Sequence, residues 1–469
     1  MIAFASEGMG TIGLLLSHEL LSLLVLVLSV VLVGSVLHQR RPTGSAFAWV
    51  LGIVLLPYVA IPLFLMFGGR KFRQRWSSKR QLSHRSYRLL PRGKGSDESG
   101  PSPVVWLDSG EAAYAEFSRQ IRRAQHSIRI LTFVIGDDIS GRALVQALTE
   151  RARAGVDVRL LVDDLLFFRV PKRELRALEA AGGHVARFMP LWHWPFRGQA
   201  NLRNHRKIAL FDGDVGIVGG MNLADEYMGE VSRVDRWRDL SLVVSGATVA
   251  ELDEIFRADW EFAAHEKLPS AAPGTQPVEG SGVLDVLPSG PDLQGDPIYE
   301  AFLELFFRAR QRIWIATPYF APDDALLKAL EIAVRRGVDV RVVVPQRSNH
   351  PLADRIAGPY LRQLDHQGVA VWRFGHPEGG SGARVAPRML HAKAVLIDDE
   401  VAVVGSANLD MRSLLWNYEV ALFMQSAREA EHLACWFHET FSESAQGAPN
   451  PSWLVRRFED GVRLLAPLA

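Results

Sequence analysis

Residues 204–227 read NHRKIALFDGDVGIVGGMNLADEY and residues 390–413 read LHAKAVLIDDEVAVVGSANLDMRS. Both write His-x-Lys, four residues, then Asp, and ten residues past that Asp comes an Asn set just after Gly-Gly or Gly-Ser. His205 and His391 stand 186 residues apart, and so do Asn222 and Asn408. A repeat of that length is too long for a solenoid unit and suits a pair of fused domains. A chance match to one such motif is easy, whereas two at matched internal spacing inside a longer repeat are not.

The repeat extends well beyond the motif. The stretch from Ala124 (AQHSIRI) matches that from Ala309 (ARQRIWI), each a helix running into a strand. The stretch from Arg153 (RAGVDVRLLV) matches that from Arg335 (RRGVDVRVVV), with Gly155 and Gly337 as left-handed helix caps before a strand. From Val104 onward, short β-branched apolar runs alternate with helix-period segments, the pattern of α/β units with buried strands. The expected divisions are 104–268 for the first copy, 269–295 for a Pro-, Gly- and Ser-rich linker holding one short strand at Val283 to Leu287, and 296–469 for the second copy. If the copies pack about a pseudo-twofold axis, equivalent residues near the axis face each other. Two motifs then make one site.

Ahead of the repeat lie two apolar runs, Leu20 to Leu37 and Ala46 to Phe67, the second without any charge. Each is close to the roughly 20 residues that a helix needs to cross a bilayer, so residues 1–69 are predicted to form a transmembrane hairpin with helices near 14–37 and 46–67. No Lys or Arg precedes the first run and no small-residue cleavage pattern follows it, which argues against a signal peptide. Between Arg70 and Lys94 there are ten Lys or Arg and no Asp or Glu. That basic juxtamembrane linker, residues 70–103, is expected to stay cytoplasmic and to lie on anionic headgroups, while the short connection with Arg40 and Arg41 faces outward. Trp192, Trp194 and Phe196 offer interfacial anchors just before the first motif.

The chemistry follows from the residue types. Strand-like residues follow each lysine, so His205 and Lys207 are expected on one face of a strand, and His391 beside Lys393 likewise. A neutral imidazole can attack phosphorus, and an ammonium two residues along can neutralise the phosphate oxygens. Asn222 and Asn408 would add uncharged donors to those oxygens, with Ser406 beside them, and the glycines let backbone come close. One histidine can attack while the other protonates the leaving oxygen and then serves as base on the incoming hydroxyl. A carboxylate on each ring would fix its tautomer; the candidates are Asp239 in Arg-Trp-Arg-Asp and Glu419 in Asn-Tyr-Glu. Asp212 and Asp398 read as partners that hold a strand end and loop. Asp163, Asp164, Asp323 and Asp324 close apolar runs and could line the cleft, although helix capping accounts at least as well for the second pair.

With these residues the sequence resembles the phospholipase D superfamily, whose doubled H-x-K-x4-D motif it carries as His205, Lys207, Asp212 and His391, Lys393, Asp398. Within it, the resemblance to bacterial cardiolipin synthases runs nearly the whole length. It includes the hairpin ending LMFG at residues 65–68, NLRNHRKI from Asn201, WRD from Trp237, TPYFAPD from Thr317, NHPL from Asn349 and GSANLDMRS from Gly405. The resemblance implies two fused α/β repeats packed as a pseudo-dimer behind the hairpin, in a bacterial inner membrane with the catalytic part cytoplasmic. It implies catalytic roles for all six motif residues, with His205 as nucleophile and His391 as general acid, then base. It also implies transfer of a phosphatidyl group from one phosphatidylglycerol to another through a phosphohistidine, with no metal or other cofactor. Gly375 to Arg388 is longer and more Gly-rich than the family's usual run and could act as a flap.

Three rival readings are weighed. A phospholipase D that hydrolyses phospholipids to phosphatidic acid, or transfer from another phospholipid donor, differs only in which group donates or accepts. A nuclease needs an electropositive groove, but the net charge is +1 and the part from Ser102 on is not basic. A silent membrane scaffold does not need two intact motifs. The lone Cys435 excludes an internal disulfide framework and a multi-cysteine metal cluster.

Overall fold

The structure is a computed structural model that describes residues 3–38, 43–67, 104–189, 202–270, 283–293, 295–375 and 388–463. The basic run, the tryptophans around position 193, most of the Gly-rich segment and most of the linker fall outside the described residues. Contacts divide the chain into two compact units, one holding the N-terminal helices and the other everything described from Val104 onward.

The first unit contains α1 (Ala3–His38), α2 (Thr43–Leu55) and α3 (Pro57–Phe67). Leu32, Val36, Ile53, Ile61 and Phe64 pack together, with Trp49 edge-on to Phe64 at 5.1 Å. The second apolar run, expected as one helix over 46–67, is broken at Leu56, because Pro57 has no N–H to donate and opens a new helix instead. Among the described residues no helix is long and apolar enough to cross a membrane.

The second unit writes the same fold twice. In the first half, β1 (Val104–Leu107), β2 (Ser127–Thr132), β3 (Asp157–Asp163), β4 (His184–Phe188), β5 (Ile208–Phe211), β6 (Val215–Gly219) and β7 (Ser241–Ser245) form a sheet of order β1-β7-β6-β5-β2-β3-β4. In the second half, β8 (Val283–Ser289), β9 (Arg312–Ala316), β11 (Asp339–Pro345), β12 (Ala370–Phe374), β13 (Ala394–Ile397), β14 (Val401–Gly405), β16 (Glu419–Gln425) and β17 (Ser444–Gln446) form a sheet of order β17-β12-β11-β9-β13-β14-β16-β8. Dropping β17 and reading backwards gives the first order again, strand for strand. The short pair β10 (Phe320–Ala321) and β15 (Leu409–Asp410) runs beside it.

The strand foreseen at Val283 to Leu287 is β8. It pairs with β16 along its whole length, as β1 does with β7, so it belongs to the second half and not to a linker. Helices α4 (Gly110–Arg123), α5 (Ile139–Arg153), α6 (Lys172–Ala180) and α7 (Ala247–Ala264) accompany the first sheet. The second has α8 (Pro297–Arg308), α9 (Asp324–Arg335), α10 (Pro351–His366), α11 (Met411–Leu415), α12 (Ala427–Ser442) and α13 (Trp453–Val462). The strand cores read as continuous buried runs, because helices cover both faces of each sheet. Gly155 and Gly337 end their helices at φ of +88° and +85°, the left-handed caps that the sequence calls for.

Strand direction places the motif residues. β2 and β3 are parallel, while β5 and β6 alternate against them. The carboxyl ends of β2, β3 and β6 and the amino ends of β5 and β7 therefore share one edge, where His205, Lys207, Asn222 and Asp239 all fall. The equivalent edge of the second sheet carries His391, Lys393, Asn408 and Glu419. Asp212 and Asp398, one strand length further on, fall at the opposite edge of each sheet.

Candidate active site

The segment entering β5 is not itself a strand, as the alternation rule expected, but a short extended lead whose backbone partner lies in the other half. Asn204 bridges Tyr418, with His205 N–H donating to Tyr418 O at 2.9 Å and Tyr418 N–H to Arg203 O at 2.9 Å. The mirror arrangement joins Leu390 to Arg238, with His391 N–H donating to Arg238 O at 2.8 Å. Each histidine is thereby pinned beside the residue that precedes the other half's carboxylate.

The side chains cross in the same way. His391 Nδ1 lies 2.6 Å from Asp239 Oδ2, and His205 Nδ1 lies 3.2 Å from Glu419 Oε1 and 3.0 Å from the carbonyl oxygen of Ser406. Both carboxylates are fully buried, and since a carboxylate can only accept, each contact calls for a proton on Nδ1. Lys393 Nζ lies against the edge of the His391 ring, 2.8 Å from Nδ1 and 3.1 Å from Nε2, and Lys207 Nζ donates to His205 O. Asp239 and Glu419, expected beside the two rings, each contact the histidine of the opposite repeat.

Burial sets the charges. It pushes His205 below the usual imidazole range, with the Lys207 ammonium adding to the effect, and it pushes His391 down to about 3, helped by Lys393. Each ring also feels the lysine of the other half, which marks the four groups as one cluster. Burial likewise lowers Lys207 to about 7 and Lys393 to about 8, against the pull of Glu419 and Asp239 respectively. Asp239 is raised by burial, but the facing His391 and Lys393 outweigh this and hold it below the ordinary carboxylate range. Both imidazoles are therefore neutral near pH 7, where Lys393 is mostly charged and Lys207 is close to its midpoint.

The halves differ in detail. Ser406 Oγ donates to Glu419 Oε2, whereas a Cβ on Gly220 would come within 2.1 Å of Asp239 Oδ1. Phe133 stands edge-on to His205 at 5.0 Å, while Tyr227 and Trp237 enclose His391 at 4.9 and 5.4 Å. These aromatic walls were missed in the sequence, although Tyr227 closes the first motif stretch and Trp237 stands two residues before Asp239.

Four of the remaining candidates prove structural. Asp212 accepts from the backbone N–H groups of Gln125, His126 and Ser127, and Asp398 from those of Arg310, Gln311 and Arg312. Both sit in left-handed turns at φ of +55° and +49° at the far edge of their sheets, so the reading of a strand-end clamp fits and a direct catalytic role does not. Asp163, raised to about 6 by burial, accepts from Asn204 N–H at 2.8 Å and steadies the lead to His205. Asp323 caps α9 through Leu326 N–H. The motif asparagines are engaged at opposite ends: Asn222 Oδ1 accepts the N–H of Val134 at 3.2 Å, and Asn408 Nδ2 donates to Ser413 Oγ at 3.1 Å. Among the described residues no group of three or more His, Cys, Asp or Glu is placed to hold a metal ion.

The chain is similar to known proteins. A family model described as "Cardiolipin synthase, PLD-like domain" matches residues 117–260 and 302–441, one match in each half. Cardiolipin synthase A of Pseudomonas fluorescens is 33% identical over 93% of this chain and 95% of its own, and that of Pseudomonas aeruginosa is 32% identical over 93% of each. The crystal structure of a phosphatidylserine synthase from Haemophilus influenzae superposes with a TM-score of 0.59 at 14% identity, covering 80% of this chain and 96% of that one. The last is a likeness of fold alone.

Proposed function

The chain belongs to the cardiolipin synthase family with PLD-like domains, and from that membership we propose that it is a phosphatidyltransferase joining two phosphatidylglycerol molecules into cardiolipin and glycerol. The observation that carries this reading is the crossed pair of histidine–carboxylate contacts, His205 with Glu419 and His391 with Asp239. Such a pair supplies one nucleophile and one proton carrier to a single phosphorus.

In the first step His205 Nε2 forms a bond to phosphorus as the bond to the headgroup oxygen breaks, and His391 Nε2–H gives that oxygen its proton. In the second, a hydroxyl of the second phosphatidylglycerol gives its proton to His391 and bonds to phosphorus, and the bond to His205 breaks. The greater side-chain exposure of His205, 12% against 4% for His391, favours it as the attacking group. Lys207 and Lys393 neutralise the phosphodiester oxygens. His391 is lowered to about 3 by burial and by Lys393, and the negative charge of a bound phosphodiester would favour its imidazolium.

The substrate places the enzyme at a bilayer, and several features support seating there. Outward-facing Leu23, Leu24, Leu26, Val30 and Val31 on α1 and Val54 and Tyr58 on α2 and α3 suit a membrane-embedded hairpin. In the second unit, Ile139, Phe168, Val231, Val234 and Leu352 are all more than half exposed, on loops and helix starts that leave the sheets at the histidine edge. We place the catalytic part on the cytoplasmic side of a bacterial inner membrane.

Purified protein given labelled phosphatidylglycerol should yield cardiolipin and glycerol. Phosphatidic acid without cardiolipin would reject the synthase reading for a hydrolase. His205→Ala and His391→Ala should each lower turnover by about 10³-fold or more with an unchanged circular dichroism melt; normal turnover in either would reject the two-histidine scheme.

A further inference from the structure

The residues on either side of His205 are both buried polar side chains, Asn204 at 1% exposed and Arg206 at 2%. One carboxylate reaches them both. Asp259, in the third turn from the end of α7 and with no exposed surface, accepts through Oδ2 from Asn204 Nδ2 at 2.9 Å and from Arg206 Nη1 at 2.7 Å. Arg206 N–H in turn donates to Asn204 Oδ1 at 3.2 Å. Asn204, Asp259 and Arg206 therefore close a loop of hydrogen bonds around the backbone that carries His205.

Arg206 also reaches into the second half. Its Nε donates to Glu419 O at 3.0 Å and its Nη2 to Ser289 O at 2.8 Å, at the first residue of β16 and the last of β8. The guanidinium lies over the Tyr418 ring at 5.3 Å. Glu419 is the residue whose carboxylate meets His205 Nδ1 at 3.2 Å. One buried ion pair thus fixes both members of that contact: Asp259 holds the backbone on either side of His205, and Arg206 joins that backbone to the backbone of Glu419. A planar guanidinium suits this task, because its donors form a rigid fork that meets several acceptors at once.

His391 is held differently. Its neighbours are Leu390 and Ala392, neither with a polar side chain. Arg238, whose carbonyl accepts the His391 N–H, meets α12 at Thr440, Glu439 and Glu443, and those two carboxylates are 71% and 44% exposed. Exposed pairs contribute little, whereas removing one partner of a fully buried pair is costly. The dry network is therefore confined to the histidine that attacks. A nitrogen that bonds to phosphorus has to lie in line with the bond that breaks, and small misplacements cost heavily in rate.

We propose that Asp259 and Arg206 are a positioning pair for the reaction: buried away from substrate, they hold His205 in line for attack by fixing its backbone and its carboxylate partner together. The proposal rests on the phosphatidyl-transfer reading, with His205 as the attacking group. Only His205 changes bonds, to phosphorus, and the pair exchanges no proton.

The test isolates the attack. Phosphatidyl-p-nitrophenol loses nitrophenolate without needing a proton, so its first step does not depend on His391. In full-length His391→Ala enzyme the second step lacks its base and stalls. Nitrophenolate should then appear as a burst whose height counts working sites and whose rate reports attack by His205. Adding Asp259→Asn should slow the burst about tenfold or more, with its height unchanged per folded molecule. Asn204→Ala, which leaves Arg206 paired, should slow it in the same direction, and decides the matter if the Asp259 variant does not fold. Asp253→Asn is the control. It breaks another buried ion pair of α7, which joins Arg129 in β2 and not the lead to His205, and should lower the melting temperature at the parental burst rate. A burst that loses height but keeps its rate in the Asp259 and Asn204 variants overturns the proposal, as does equal slowing by Asp253→Asn. No burst in the His391→Ala parent overturns the two-histidine reading on which it rests, a result distinct from a burst indifferent to Asp259.

Discussion

Asp239 and Glu419 do the same work with side chains one methylene apart, and the residue behind each differs to match. Ser406 fits behind Glu419 and donates to it, while Asp239 is held by Leu240 N–H at 2.7 Å and by His391, tight against Gly220. Exchanging the pair should therefore be asymmetric. Gly220→Ser puts a Cβ into the Asp239 carboxylate and should lower kcat by about 10²-fold or more by displacing the partner of His391. Ser406→Gly removes one hydrogen bond from Glu419 and should cost about tenfold. Equal losses in the two purified variants would argue against this packing account. The lysines give a pH dependence whose sign follows from their depressed values. The ammoniums of Lys207 and Lys393 are present below about 7 and about 8 and are lost above. Phosphate affinity should fall as pH rises through that window, so kcat/KM for phosphatidylglycerol should decline between pH 7 and 9; a flat profile would remove the lysines from substrate binding.

At the level of elements, the alternation of β-branched runs and helical segments was enough to foresee the α/β units, and the glycine caps fell where the repeat put them. Two features were not readable in the same way. The His-x-Lys segment looked like the start of a strand, since alternation is a property of one chain, while its actual backbone partner, Tyr418, is more than 200 residues away. β8 was visible as a strand but not as part of the second sheet, because an edge strand is defined by the neighbour it pairs with. The turn after β5 was read more securely. Asp212 is one of few non-glycine residues with positive φ, a conformation that Asp tolerates better than most, and it gathers three backbone N–H groups. Asp212→Ala should lower stability by about 2–3 kcal/mol, the range for hydrogen bonds to a charged group, while the folded fraction keeps kcat within a few-fold of wild type. A denaturant melt alongside kcat separates this from a catalytic loss.

For the whole molecule, the duplicate motif foretold two like halves, and the doubled sheet order bears that out. Which carboxylate serves which histidine was not legible, since spacing along the chain carries no information about how two similar bodies cross. The exposed apolar side chains at the histidine edge were equally hidden, being scattered singly through loops. If they dip into a bilayer, the triple change Ile139→Ser, Val231→Ser, Val234→Ser should reduce activity on phosphatidylglycerol vesicles about tenfold. Activity on a short-chain, monomeric phosphatidylglycerol should be unaffected, and equal losses on both substrates would count against membrane contact.

The crossing of the carboxylates has one more consequence. A symmetric homodimer built from a single copy would have to give both of its histidines the same surroundings, and would work as attacker and proton carrier only by chance of which side the lipid entered. Fusing the copies removes that obligation. One imidazole can be boxed by Tyr227 and Trp237 while its counterpart stays open beside Phe133, one asparagine can accept where its twin donates, and neither half can then be inherited, lost or replaced without the other.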